Sequence, residues 1–149
     1  MIRDALLSML HWWAVLGLFS ALIGELMLVR GPLAPPVVRR LARLDAAYGG
    51  LFVLALTAGL LRAVYGAKGW EFYSGNPMFW TKIATLAFIG LLSLPPTFAF
   101  LRWKREARAG ATIDAARVTA IRRWVHAELG VLFVVPAFAA LMARGIGLG

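Results

Sequence analysis

Four apolar runs, each about as long as a bilayer is thick, constrain this chain more than any other feature. They extend from about Ala5 to Val29, from Ala46 to Tyr65, from Met78 to Phe100 and from Val125 to Ala143. A helix needs ~20 apolar residues to cross the hydrocarbon core, and none of the runs alternates like a strand. Inside lipid, backbone polar groups have no water to bond, which favours helices that satisfy them within one segment. The expected fold is therefore all-α, a four-transmembrane-helix bundle, with residues 1–149 forming a single integral membrane domain. Composition agrees. The apolar fraction is 61%, well above the roughly 45–50% of soluble domains, which argues against a soluble enzyme and a disordered chain. The first run is too long for a signal peptide, contains Glu25, and lacks a small-residue cleavage site before Arg30. The chain has no cysteine, so disulfides, iron–sulfur clusters and thiol chemistry are excluded.

Charge fixes the orientation. Lys and Arg number 16 against 7 Asp and Glu, a net charge of +9. Residues 30–45 carry Arg30, Arg39, Arg40 and Arg43, and residues 101–124 carry seven further basic side chains. The middle connection, residues 66–77, carries only Lys68 and Glu71. Basic loops stay in the cytoplasm, so the topology is N-out and C-out. The basic excess is a topology determinant facing the lipid bilayer, and no nucleic-acid partner is expected.

Local signals divide the helices. Pro32, Pro35 and Pro36 stop the first, Asp45 caps the second, and Pro77 opens the third after the turn Ser74-Gly75-Asn76. Residues 111–123 read as helix, so the fourth begins in the cytoplasm. Pro95, Pro96 and Pro136 lie inside spans, where they kink helices. Trp12, Trp13, Trp70, Tyr73, Phe79 and Trp80 form an outer aromatic belt, with Trp103 and Trp124 at the inner boundary. Gly17, Gly24, Gly49, Gly50, Gly59 and Gly90 permit close helix contacts. No internal repeat, phosphate-binding loop, dinucleotide fingerprint, nucleophile elbow or zinc-ligand spacing is present.

Ionisable residues in a span are costly, which makes each a candidate site with a partner to be found. At ~1.5 Å per residue, His11 and Lys82 both lie about 27 Å from the inner boundary, so they share a level toward the outer side. Arg62 and Arg144 end their helices there. Glu25, Asp45, His126 and Glu128 form a second cluster at the inner side. His11 and His126 are then roughly 20 Å apart along the membrane normal, too far to ligate one haem iron. The plain structural readings are an interfacial histidine at His11, a snorkelling Lys82, lipid-phosphate anchors at Arg62 and Arg144, and inner ion pairs with loop arginines. Met9 and Met78 lie near His11 in depth, which admits a soft copper(I) site.

Several stretches resemble a bacterial family of four-helix membrane proteins of unknown function. They are Leu44-Asp45-Ala46-Ala47-Tyr48-Gly49, Thr57-Ala58-Gly59-Leu60-Leu61-Arg62, Lys68-Gly69, Asn76-Pro77, Phe79-Trp80-Thr81-Lys82, Leu92-Ser93, Pro95-Pro96-Thr97 and the ending Ala143-Arg144-Gly145-Ile146-Gly147. A histidine early in the first helix, followed by Trp80-Thr81-Lys82 opening the third, is distantly similar to the HemJ-type protoporphyrinogen oxidases and to copper-resistance D membrane proteins. The oxidase likeness implies haem b, with His11 and Lys82 as iron ligands or haem-proximal residues. Arg62 and Arg144 would then pair with propionates. The expected function is an integral membrane haem-b protein of electron-transfer or oxidase type. Glu25, Asp45 and Glu128 would supply a proton path, an ion-binding site or a quinone contact. Catalytic residues are not identified. Alternatives are a small ion- or proton-coupled transporter or channel, and a structural or assembly partner. Other expectations are a redox partner, homo-oligomerisation and residence in a bacterial inner membrane.

Overall fold

The computed structural model describes residues 2–144, so Gly145, Ile146 and Gly147 of the family-like ending lie outside the described residues. The elements are α1 (Ile2–Arg30), α2 (Pro35–Tyr65), α3 (Gly69–Ser74), α4 (Pro77–Arg108) and α5 (Ala115–Ala143). All but α3 are long and apolar enough to cross a membrane. The described residues contain no strand. The all-α, four-span reading therefore holds.

Helix boundaries extend beyond the apolar runs. α1 ends at Arg30, just before Pro32, and Pro35 and Pro36 occupy the first two positions of α2. Those positions have no intrahelical partner for an N–H, so proline's missing donor costs little there. Asp45 is consequently not a cap. It lies in the middle of α2, buried, and accepts a hydrogen bond from Thr97 Oγ1 on α4 at 2.8 Å. The middle connection also forms the short α3, just before the expected turn at Ser74-Gly75-Asn76. Asn76 caps α4 by accepting the Met78 N–H at 2.8 Å, with Pro77 beside it as expected. Asp114 caps α5, so that helix does begin well before its apolar run. Pro95 and Pro96 sit inside α4, and Pro136 inside α5. Each removes one backbone donor from the helical ladder.

The bundle is four-sided. α1 packs on α2 and α5, and α4 packs on α5 and α2; among the described residues the backbones of the diagonal pairs stay apart, and only long side chains reach across. Close approach of α1 to α2 depends on two glycines. A Cβ at Gly17 would come within 2.9 Å of Leu51, and one at Gly24 within 2.8 Å of Leu44. Seven residues separate Gly17 from Gly24, two turns on the same face. Gly59 admits His11 in the same way. Gly49 and Gly50 face open space, contrary to the expectation for them.

The core includes Leu18, Leu22, Val29, Leu41, Ile89, Phe100 and Val125. Trp103 belongs to it too. It is fully buried, 5.6 Å from the Phe100 ring centre, and so is not the inner belt residue the sequence suggested. Trp12, Trp13, Trp80 and Trp124 are exposed, as belt residues are. Leu16, Met27, Val53, Leu91, Phe98 and Phe133 point outward. They are the surface that lipid covers.

The α1–α2 seam generates a test. Gly24→Leu should destabilise the protein by about 1–3 kcal/mol through overpacking against Leu44. Gly49→Ala, which meets nothing, should be neutral or stabilising. Thermal unfolding in detergent compares the two, and equal losses would contradict this packing.

Candidate functional site

Two groups of polar side chains lie inside the bundle, at opposite ends. The outer group lines a cavity of about 330 Å³. His11 and Trp12 come from α1, Ala55, Gly59 and Arg62 from α2, Tyr73 from α3, Lys82 from α4, and Pro136 and Met142 from α5. Phe19, Phe52, Phe72 and Phe79 supply much of the apolar wall. This size and lining are typical of a small-molecule pocket, although at its lower end.

The His11 ring is held in one orientation. Its Nδ1 lies 2.8 Å from the Ala55 carbonyl oxygen. A carbonyl only accepts, so Nδ1 carries the hydrogen and Nε2 keeps its lone pair. A backbone carbonyl holding the other ring nitrogen is the usual support of a ligating histidine. Gly59 makes this position accessible, because a Cβ there would approach the ring to 3.2 Å. Lys82 and Arg62 act electrostatically on His11, and Arg62 on Lys82. The equal depth expected for His11 and Lys82 thus becomes membership of one cavity. Arg62 also lines the cavity, and its Nε is buried without a partner.

Three expectations for this end do not meet in the cavity. Arg144 ends α5 as an exposed residue and is not among the lining side chains. Met9 is exposed, and neither it nor Met78 lines the cavity; the thioether that does line it is Met142 of α5. Lys68 does line it, although its position in a connection gave no sign of this.

The inner group is acidic. Glu25 on α1 and Glu128 on α5 are each 1% exposed, and Asp45 on α2 is 7% exposed. The ion pairs with loop arginines are not formed. Among the described residues the one salt bridge joins Arg117 to Glu106 at 3.0 Å. Arg30 instead donates to His126 Nε2 at 3.2 Å, while His126 Nδ1 donates to the Arg122 carbonyl at 2.8 Å. His126 is exposed and stands apart from the outer cavity, as depth predicted. Glu25 Oε1, Glu128 Oε1 and the Tyr48 hydroxyl are buried without hydrogen-bond partners. Tyr48 and Thr97 escaped the sequence reading. The signal for Tyr48 was its i+3 spacing from Asp45, which puts both on one face of α2. Among the described residues, no group of three or more His, Cys, Asp and Glu side chains converges closely enough to hold a metal ion.

A family model described as "Predicted membrane protein (DUF2214)" matches residues 3–147. Neither a curated protein nor a solved structure matches the chain.

The His11 geometry has a direct readout. Nitrogen-15 NMR of histidine-labelled protein should report the Nδ1–H tautomer for His11, assigned with a His126→Gln variant. Gly59→Val should move the His11 signals and leave those of His126 in place. An Nε2–H tautomer at His11 would contradict the bond to Ala55.

Proposed function

The chain belongs to the DUF2214 family of predicted membrane proteins, and from that premise we propose that this multi-pass protein binds haem b in its outer cavity and transfers electrons. The observation that carries the reading is the His11 ring, fixed through Nδ1 on the Ala55 carbonyl, with Nε2 left as a ligand nitrogen in a cavity shared with Lys82 and Arg62. The residues present suit the group: His11 Nε2 and Lys82 would hold the iron, or Lys82 a propionate, and Arg62, whose Nε has no partner in the protein, would take a propionate carboxylate. Arg144, exposed at the end of α5, would meet only a carboxylate that reaches the surface. Phe19, Phe52 and Phe79 line the cavity and would keep water from the bound group. Haem b, when bound, supplies a one-electron couple whose potential depends on its axial ligands and their hydrogen bonds. In this reading the protein is an oxidoreductase component of a bacterial inner membrane, exchanging electrons with a quinone or a redox protein, as a monomer or a homo-oligomer.

A second reading, a small proton-coupled transporter, is favoured by the inner carboxyl groups, which lack cationic partners. Ion flux in liposomes, lost on Glu25→Gln or Asp45→Asn, would single it out.

Absorption spectroscopy tests the haem. Protein purified in detergent from haem-replete cells should show a Soret band, with sharp α and β bands on dithionite reduction. His11→Ala should abolish them and Lys82→Ala should shift them. Arg62→Ala should weaken haem retention about tenfold or more, from the ~1.5–3 kcal/mol of a hydrogen bond to a charged group. A flat spectrum would overturn the proposal.

A further inference from the structure

The outer cavity leaves the inner acidic cluster without a role. Glu25, Asp45 and Glu128 come from three different helices and converge on the α1–α2–α5 interior. Burying an ionised carboxylate without a partner costs far more than the packing around it returns. Water would relieve that cost, but these side chains are almost fully enclosed. A cationic side chain would relieve it too. No ion pair reaches the cluster: Arg30 bonds to His126, and the one salt bridge among the described residues joins Arg117 to Glu106. Thr97 Oγ1 offers Asp45 one hydrogen bond, and α4 brings no charge to the group.

A second observation points to an occupant. Tyr48 is 3% exposed, its buried hydroxyl makes no hydrogen bond of good geometry, and Glu128 lies beside it with Glu25 and Asp45 nearby. One oxygen of Glu25 and one of Glu128 are likewise unpartnered. Polar atoms this deep are normally satisfied. The carboxyl groups do not converge closely enough to chelate a metal ion. Protons need no such convergence, because each carboxyl group takes its own.

We propose that Glu25, Asp45 and Glu128, with Tyr48, form a proton-binding site at the inner end of the bundle, separate from the outer cavity. The titratable groups that face one another there are Glu25 from α1, Asp45 and Tyr48 from α2, and Glu128 from α5. Glu25 lies five residues before Arg30, about 8 Å from the basic end of α1, so the site exchanges protons with the cytoplasmic side. It is about 21 Å along α1 from His11. The site stands whether or not the outer cavity binds haem.

Infrared spectroscopy of the full chain in liposomes tests this. At neutral pH, with choline as the only added cation, the wild type should show the C=O stretch of protonated carboxyl groups, shifting in D₂O. Carbon-13 labelling of glutamate should shift most of that absorption without any mutation. Glu25→Gln and Glu128→Gln should each remove part of it, and Glu106→Gln, on the Arg117 pair, should remove none. No protonated-carboxyl absorption in the wild type would overturn the proposal. So would an absorption insensitive to glutamate labelling. Loss of the absorption when sodium replaces choline would assign the site to a metal cation instead.

Discussion

A polar group in hydrocarbon must find its partner inside the protein, and this constraint organises the whole molecule. It makes the four apolar runs helices rather than any other element. It also sends the few ionisable side chains of the spans inward, because lipid cannot solvate them. The outward faces then read as ordinary apolar surface, with Leu16, Val53, Leu91 and Phe133 among them. What distinguishes this bundle lies inside, in six ionisable side chains at two levels.

The α1–α2 seam holds both levels. Gly17 and Gly24 let Leu51 and Leu44 close the two helices on each other. Above that contact, Gly59 and the Ala55 carbonyl receive the His11 ring. Below it, Asp45 and Tyr48 of α2 lie near Glu25 of α1. The same two helices therefore carry a basic, histidine-containing cavity at one end and an acidic cluster at the other. The separation is a consequence of helix length, and it keeps the two chemistries electrostatically distinct.

Much of this was legible residue by residue. Run length gave the helices, and rise per residue placed His11 level with Lys82 and far from His126. Other features were misread for identifiable reasons. Pro35 and Pro36 signal a break, yet the same residues suit a helix start, so Asp45 was taken for a cap when it is a mid-helix acid. Trp103 sits at the depth of a belt residue, but depth says nothing about which way a side chain turns, and this one turns into the core. Glycine spacing suggested contacts at Gly49 and Gly50 that the helix rotation directs away.

The sequence by itself determined the class of protein, the number of spans and the relative depth of His11, Lys82 and His126. These depend on composition and on distance along one helix, and both are local quantities. Only the tertiary structure decided which polar groups meet. It seated His11 on the Ala55 carbonyl, put Lys82 and Arg62 in its cavity, gave Arg30 to His126, and left Glu25 and Glu128 without a cation. The physical reason is that partnership depends on the rotation of each helix about its axis. That rotation is set by packing against neighbours through residues such as Gly24 and Leu44, far apart in sequence.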